Sequence, residues 1–291
     1  KIEDGLYKSI EVISLYGKKR KISNEDIEGI DVIVFDIQDV GVRFYTYLST
    51  LHYAMEASSR TNKNIIILDR PNPNSFYIDG PVLEIENSSF IGLHPVPIVY
   101  GMTIGEYGKM INGEGWLENK TKANLEVIRI KNYNHNLRYE PPVRPSPNLP
   151  NLQSIYLYPS LAFLEKTEVS VGRGTKIQFQ IYGHPNFISD FSFIPMPNFG
   201  SQYPKLNGKL SFGEDLRNYK TKDKIELKWL IKSYNQISDK TKFFRSDFDK
   251  LSGISNLKKQ IIEGVSESLI RESWKDGLEK FKNIRKKYLL Y

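Results

Sequence analysis

The chain contains 291 residues, of which 40% are hydrophobic and 26% charged, and its net charge is +7. This composition is ordinary for a globular protein and excludes a disordered or collagen-like chain. The absence of cysteine excludes disulfides, thiolate zinc sites and a cysteine nucleophile. The length allows two packed lobes or one large α/β unit.

The sequence contains neither a membrane-spanning helix nor a nucleic-acid motif. No apolar run approaches the roughly 18 residues that such a helix needs, and no apolar signal segment follows Lys1–Asp4. The positive charge favours an anionic partner. The densest basic clusters, Lys18–Lys21 and Arg285–Lys287, lack the spacing of zinc fingers, basic zippers or RNA-binding sheets. We therefore predict no nucleic-acid partner.

Two continuous apolar runs, Asp31–Asp36 and Asn64–Asp69, have the length and composition of strands that are buried on both faces. The segment from Thr50 to Ala57 between them has helical character, which makes a strand–helix–strand unit with a parallel sheet. Leu125–Ile130 is a third predicted strand. These elements predict an α/β lobe over residues 1–140.

Five prolines in residues 141–150 exclude a helix or a central strand and predict an extended connector. Residues 141–291 form the predicted second, α+β lobe. Gln178–Tyr182 alternates like a strand, Trp229–Tyr234 has helical periodicity, and Leu257–Lys287 resembles a pair of amphipathic helices.

The segment that follows the first strand is rich in groups that bind or cleave sugars. Carboxylate, amide, guanidinium and phenol groups occur within twelve residues, at Asp36, Gln38, Asp39, Arg43, Tyr45 and Tyr47. The carboxyl ends of parallel strands are the usual place for a ligand. The alternative is a structural ion pair between Arg43 and one of the two aspartates.

Two other acidic positions have structural alternatives. Asp69 ends the second strand, where a ligand usually binds, but it also begins a turn, where a carboxylate often binds the local backbone. Glu106 follows Thr103 by three residues, as in a helix capping box.

A second candidate cluster is Ser170–Thr175, in which glycines flank Arg173 and expose it to an anion. Glu165 lies nearby and either supplies a carboxylate or pairs with Arg173. The cluster is not a Walker loop, so a nucleotide-binding protein has no support beyond the strand–helix–strand pattern.

The scattered histidines and the absence of a nucleophile elbow argue against a metal site or a serine nucleophile. We predict neither a metal nor a cofactor. Carboxylate chemistry remains, and glycoside hydrolysis requires two acids. Asp36 and Asp39 are the predicted pair, and Glu84 and Glu165 are further candidates.

The chain resembles the exo-β-N-acetylmuramidase family. The ordered motifs that carry the resemblance run from near residue 10 to the last residue: Ser14–Gly17, Asp36–Tyr47, Asp69–Pro73, Tyr100–Glu106, Pro145–Pro150, Gly172–Thr175 and Arg285–Tyr291.

The resemblance implies a Rossmann-like lobe, a smaller α+β lobe and an active-site cleft between them. It implies release of N-acetylmuramic acid from the non-reducing ends of peptidoglycan fragments, and export to the periplasm or cell surface. Arg43 or Arg173 is expected to hold the lactyl carboxylate of the sugar. Tyr45, Tyr47 and Tyr100 are expected to stack on sugar rings, and Gln38 and Asn148 are further predicted substrate contacts.

Family members carry another strand and a Gly-Pro-Glu-His-Gly-type motif upstream of Ser14–Gly17. We therefore expect the first strand of the lobe, and with it the glutamate that is a leading candidate for the catalytic acid, to lie outside this chain. The alternative hypothesis is a non-catalytic relative that binds muramyl ends.

Overall fold

The computed structural model describes residues 4–15, 17 and 19–291. Tyr16 of the Ser14–Gly17 motif and Lys18 of the first basic cluster lie outside the described residues. Strands β1 (Gly5–Tyr7) and β2 (Ile10–Val12) pair antiparallel as a short hairpin at the start of the described chain.

A parallel sheet organises the first half of the molecule. Its strands β3 (Val32–Phe35), β4 (Asn64–Leu68) and β5 (Asn124–Ile128) pair in that order. Helix α1 (Tyr47–Thr61) connects β3 to β4, and α2 (Ile104–Gly113) lies between β4 and β5. The predicted strand–helix–strand unit and third strand are therefore confirmed.

The two helices cover one face of this sheet. Ile65 and Ile67 of β4 are fully buried in an apolar cluster with Leu51 and Met55 of α1 and Met110 of α2. On the opposite face large apolar side chains are exposed among the described residues: Val34, Leu68 and Ile128. Because the strand side chains alternate between the two faces, the sheet is buried on one face only. The prediction from the apolar runs, that the strands are buried on both faces, is therefore wrong.

The second half contains a small antiparallel sheet among helices. Strands β6 (Ile181–His184), β7 (Phe191–Phe193) and β8 (Ser211–Asp215) pair in the order β6-β8-β7. The helices are α3 (Leu152–Leu161), α4 (Lys228–Gln236), α5 (Phe248–Ser252), α6 (Asn256–Ile262), α7 (Glu267–Glu272) and α8 (Lys275–Arg285).

Two predicted elements of this half are wrong in their bounds. The strand expected at Gln178–Tyr182 begins only at Ile181, because Phe179 has a left-handed φ of 54° that no strand allows. The expected pair of C-terminal helices is three helices. Gly264, with φ 72°, ends the first of them, and Ser266 caps the second. Residues 141–150 contain no helix or strand, as predicted.

The chain crosses between its two apolar cores. Val40, Val42 and Phe44, which follow β3, are buried in the second core with residues of α3 and α4. Conversely, Phe281 of α8 is buried in the first core. A lobe boundary near residue 140 stays a prediction. In the described part of the chain, no helix is both long and apolar enough to cross a bilayer.

Candidate active site

The loop that leaves β3 is fixed by alternating apolar side chains and by one glycine. Val40, Val42 and Phe44 are buried, which anchors the loop on the second core. Gly41 has φ +75°, and a Cβ there would lie 2.1 Å from Oδ1 of Asn72. Only glycine therefore allows this turn and this close approach to the segment after β4.

Asp39 is the buried carboxyl of this loop, with 4% of its surface exposed. Its Oδ2 accepts hydrogen bonds from the Gly41 N–H (2.6 Å) and from the Tyr100 hydroxyl. Its Oδ1 is buried and accepts no hydrogen bond from the described residues. Burial raises the pKa of Asp39 to about 6, while the hydrogen bonds from Tyr100 and Gly41 oppose this rise. Asp39 can therefore give or take a proton near neutral pH.

Tyr100 is fully buried just before α2, and its ring centroid lies 5.1 Å from that of Tyr107. The prediction that Tyr100 stacks on a sugar ring is wrong, because no face of the ring is accessible. The residue acts instead through its hydroxyl, which holds the Asp39 carboxyl.

A group of tyrosines lies next to Asp39. The Tyr45 hydroxyl donates to the Pro145 carbonyl at 2.8 Å, and the Tyr45 ring packs edge-on against Tyr47 and Tyr158, at 5.0 and 6.1 Å. Burial, and then the neighbouring phenols and the Asp39 charge, raise the pKa of Tyr45 far above its usual value. Tyr45 and Tyr47 are partly exposed, so their predicted contact with a sugar is sterically possible.

Glu165 and Arg173 form a bidentate ion pair. The Arg173 Nε donates to Glu165 Oε1 and its Nη2 donates to Oε2, both at 2.6 Å. The two side chains keep 24% and 33% of their surface exposed. The pairing that the sequence left as an alternative for Glu165 is therefore present, and it places this carboxylate and guanidinium together at one accessible position.

Ring contacts through Tyr158 of α3 lead from the Asp39 loop towards this ion pair. Tyr158 packs edge-on against Tyr45, at 6.1 Å, and against Phe179, at 4.9 Å. The Arg173 guanidinium lies 5.2 Å from the centroid of the Phe179 ring. Burial raises the pKa of the Tyr158 phenol.

A partly buried lysine fixes the main chain that carries Glu165. The Lys205 ammonium donates to four carbonyl oxygens, at 2.6–3.2 Å: those of Leu164, Glu165, Thr167 and Val169. Burial lowers the pKa of Lys205 to about 7, whereas four carbonyl dipoles favour the charged ammonium. The arrangement holds the turn on which Glu165 lies.

Asn148 has a structural contact instead of an exposed amide. Its Nδ2 donates to the Gly200 carbonyl at 2.8 Å, and its Oδ1 is buried without a partner among the described residues. The predicted direct contact with substrate is therefore not available to Asn148 in this conformation.

Asp36 and Gln38 lie at the outer side of the loop. Arg70 donates to Asp36 Oδ1 through Nε and Nη2, at 2.7 and 2.6 Å, in a largely exposed ion pair. The Gln38 amide donates to the Asp39 and Pro71 carbonyls, each at 2.8 Å. The predicted Asp36–Asp39 acid pair has one exposed, ion-paired member and one buried member.

Arg43 does not occupy the predicted substrate-binding position. It is fully buried, and its guanidinium donates to four main-chain carbonyls at 2.7–3.2 Å: those of Pro81, Val96, Leu251 and Ser252. Burial lowers the pKa of Arg43 to about 9, so the group stays charged at neutral pH. The buried guanidinium is not accessible to a lactyl carboxylate, and among the described residues no aspartate forms an ion pair with it. Both predictions for Arg43, substrate binding and a structural ion pair, are therefore wrong.

Asp69 and Glu106 both form hydrogen bonds that hold the start of helix α2. Asp69 accepts from the Gly105 N–H and the Thr103 hydroxyl, at 2.8 and 2.7 Å, and so holds the start of α2. Glu106 is fully buried and completes the predicted capping box with Thr103. It also contacts His135 Nε2 at 2.8 Å.

Sequence reasoning missed Tyr158 and Lys205. Tyr158 belongs to an apolar helix and gives no local signal that distinguishes it from a core aromatic. Lys205 follows a loop of prolines and glycines, and nothing in its neighbours indicates burial. Among the described residues no three histidine or acidic side chains are grouped as metal ligands.

Comparison with known proteins identifies the family. The model of exo-β-N-acetylmuramidase NamZ, N-terminal, matches residues 3–153, and that of its C-terminal part matches residues 156–291. The chain is 37% identical over 306 residues to the peptidoglycan β-N-acetylmuramidase NamZ of Bacillus subtilis (strain 168). That match covers 97% of this chain and 72% of the relative.

Two solved structures, both DUF1343 family proteins of Bacteroides fragilis NCTC 9343, have the same fold. The first has a TM-score of 0.93 at 42% identity, and the match covers 98% of this chain and 80% of the first protein. The second has a TM-score of 0.82 at 27% identity, and the match covers 96% of this chain and 79% of the second protein. The α/β fold expected from the motifs is thus confirmed, and the chain belongs to the exo-β-N-acetylmuramidase NamZ family.

Proposed function

We propose that this chain is a glycosidase that releases N-acetylmuramic acid from the non-reducing ends of peptidoglycan fragments. The observation that carries the proposal is the 37% identity, over 97% of this chain, to a relative named as a peptidoglycan β-N-acetylmuramidase. Similarity of this extent covers the Asp39 loop, the tyrosines around it and the Glu165–Arg173 pair together.

The chemistry of the proposed reaction requires one acid that donates a proton and a second that acts as base or nucleophile. Asp39 fits proton transfer, because its pKa of about 6 allows both protonation states near neutral pH. Glu165 fits the second role, because its carboxyl group lies at an accessible position, 24% exposed, and is oriented by the Arg173 guanidinium. Asp36 is a further candidate at the exposed edge of the loop.

Substrate recognition in this proposal uses Arg173 and the two accessible tyrosines. The lactyl carboxylate of the muramyl ring binds at Arg173, which lies between two glycines and is one-third exposed. Tyr45 and Tyr47 contact the sugar ring. Export to the periplasm or cell surface belongs to the same proposal, since wall fragments arise there.

One observation favours the alternative of a muramyl-binding relative without turnover. Both exposed carboxylates of the predicted catalytic set are ion-paired with arginines, Asp36 with Arg70 and Glu165 with Arg173. A hydrolase must rearrange at least one pair when substrate binds, whereas a binding protein has no need to do so.

Incubation with two isomeric disaccharides separates these functions. One substrate carries N-acetylmuramic acid at its non-reducing end and the other carries it at the reducing end. The proposal expects free N-acetylmuramic acid and N-acetylglucosamine, detected by mass spectrometry, from the first substrate only. Calorimetric binding of the first disaccharide without any product would establish the binding function and refute hydrolysis.

A further inference from the structure

Residues 196–205, here called the aromatic turn, carry two aromatic side chains that are almost completely exposed. Phe199 has 91% of its surface exposed and Tyr203 has 94%. Neither ring packs against another aromatic ring or a cation among the contacts of the described residues. Apolar rings left in water lack the free energy that burial gives, and a group of exposed apolar side chains is a candidate binding surface.

The first part of the aromatic turn is fastened to the loop that carries Arg173. The Met196 N–H donates to the Gly174 carbonyl at 2.9 Å, and Asn198 Nδ2 donates to the Thr175 carbonyl at 3.1 Å. Gly174 has φ +83°, and a Cβ there would lie 2.6 Å from the Met196 carbonyl oxygen. The glycine after Arg173 thus permits the aromatic turn to lie directly against the candidate site.

The tip and the end of the aromatic turn are also fixed. Asn198 and Ser201 exchange backbone hydrogen bonds at 2.9 and 3.1 Å, which closes a tight turn with Phe199 at its tip. Asn148 holds the Gly200 carbonyl at 2.8 Å. At the end, Lys205 is bound by the carbonyls of the Glu165 segment. Both rings are therefore presented from a main chain whose position is set by the residues around the ion pair.

The chemistry of the aromatic turn selects a neutral ligand with an apolar face. Residues 194–204 contain no charged side chain, and the ammonium of Lys205 at the end of the turn is bound to four main-chain carbonyls. The exposed part of the turn therefore presents no charged group to an anion. The C–H face of a pyranose ring is apolar while its edge carries hydroxyls, which matches an aromatic ring at a wet surface. Ile194 and Met196, about half exposed, extend the same apolar surface.

We infer that Phe199 and Tyr203 form a stacking surface for the neutral N-acetylglucosamine ring that follows the muramyl residue in the glycan. The inference rests on the proposed function. An enzyme that releases the terminal sugar binds that sugar at its centre, so the rest of the glycan extends only on the leaving-group side. The aromatic turn, next to the Glu165–Arg173 pair, then receives that part of the glycan, and Asn148 acts as a positioning residue for it.

The test compares the kcat/KM for a glycan substrate with that for methyl β-muramide, which has no second ring. In the variant Phe199→Ala/Tyr203→Ala we expect the ratio of the two values to fall about tenfold, since each stacking contact contributes a factor of a few. The control Tyr7→Ala removes another exposed tyrosine, in the β1–β2 hairpin, and should leave the ratio unchanged.

An unchanged ratio in the double variant would overturn the inference. A change of sedimentation coefficient in the double variant with an unchanged ratio would assign the surface to contact between copies of the chain, and would also refute it. If the parent chain releases no sugar from any substrate, the proposed function fails on its own. Calorimetric affinity for the glycan then tests the stacking surface separately, and equal affinity in parent and double variant refutes it.

Discussion

Asp39 is held in an environment that disfavours its charge. The carboxyl is buried, accepts two hydrogen bonds on Oδ2 and none from the described residues on Oδ1. The folded protein therefore binds a proton on this group more tightly than the unfolded chain does, because burial penalises the ionised form.

This environment predicts a dependence of stability on pH. The folded pKa of about 6 lies above the ordinary value of 3.8, so the stabilising contribution is complete below about pH 4 and is lost as the pH rises through 6. Relative to Asp39→Asn, the parent chain should lose about 2 kcal/mol of unfolding free energy between pH 4 and pH 7. Urea unfolding of both proteins across this range measures the difference.

Tyr100→Phe is the matched variant for this prediction. Removing the hydroxyl deletes a hydrogen bond that lowers the pKa of Asp39, so the loss of stability should centre at a higher pH than in the parent. Parallel stability curves for the parent chain and Asp39→Asn would contradict the account of this carboxyl.

At the scale of residues, sequence reasoning found the loop but not the burial of its side chains. The density of polar groups around Asp39 follows from local sequence, and so does the turn at Gly41. The surroundings of Asp39, Arg43 and Tyr100 in the folded protein depend on contacts with segments far along the chain. Arg43, for example, binds carbonyls more than 200 positions away, which no local pattern reveals.

Helix α2 is the element that connects the parallel sheet to the site. Its first turn is closed by Thr103, which accepts from the Glu106 N–H at 3.2 Å and donates to Asp69 Oδ2 at 2.7 Å. Tyr100 lies three residues before this cap. The cap therefore fixes the direction in which Tyr100 approaches Asp39.

Thr103→Val should weaken this element while retaining the shape of the side chain. The variant loses both hydrogen bonds and leaves an oxygen of the partly buried Asp69 carboxylate with fewer donors, so we expect a loss of about 2 kcal/mol in unfolding free energy. Thr103→Ser retains the hydroxyl and should lose about 1 kcal/mol or less, from the methyl group. Chemical denaturation compares the two, and equal losses would show that the hydroxyl contributes nothing.

Elements with a strong local signal were predicted well, and those set by tertiary contacts were not. The capping box and the apolar strands are local patterns, and α2 and the parallel sheet follow them. The segment 178–180 alternates in polarity like a strand, but Phe179 turns into the core beside Tyr158. Burial of that one ring outweighs the local pattern.

In the whole molecule, Arg43 connects parts of the chain that are distant in sequence. Its guanidinium joins the carbonyls of Pro81 and Val96 to those of Leu251 and Ser252. Gly253 lies so close that a Cβ there would be 2.2 Å from an Arg43 nitrogen, and its φ is +83°. This contact holds α5 against the segment that precedes α2.

Arg43→Met should destabilise the molecule without changing any exposed charge. Four buried carbonyls lose their donor, and an unsatisfied buried acceptor costs about 1–3 kcal/mol. We expect the unfolding free energy to fall by at least about 3 kcal/mol. Thermal unfolding followed by circular dichroism measures the loss, with Arg138→Met, an exposed arginine paired with Asp223, as the control. An equal effect of the two substitutions would contradict the role of Arg43.

The central claim is that Asp39 serves the chemistry of a muramidase, and turnover by Asp39→Asn tests it most directly. The substrate is the disaccharide with N-acetylmuramic acid at its non-reducing end, and Asp223→Asn is the control. A lost proton-transfer group predicts a fall in kcat of about 10²–10⁴-fold with folded protein retained, and an unchanged kcat in the control. A kcat for Asp39→Asn within a factor of about two of the parent would contradict the claim.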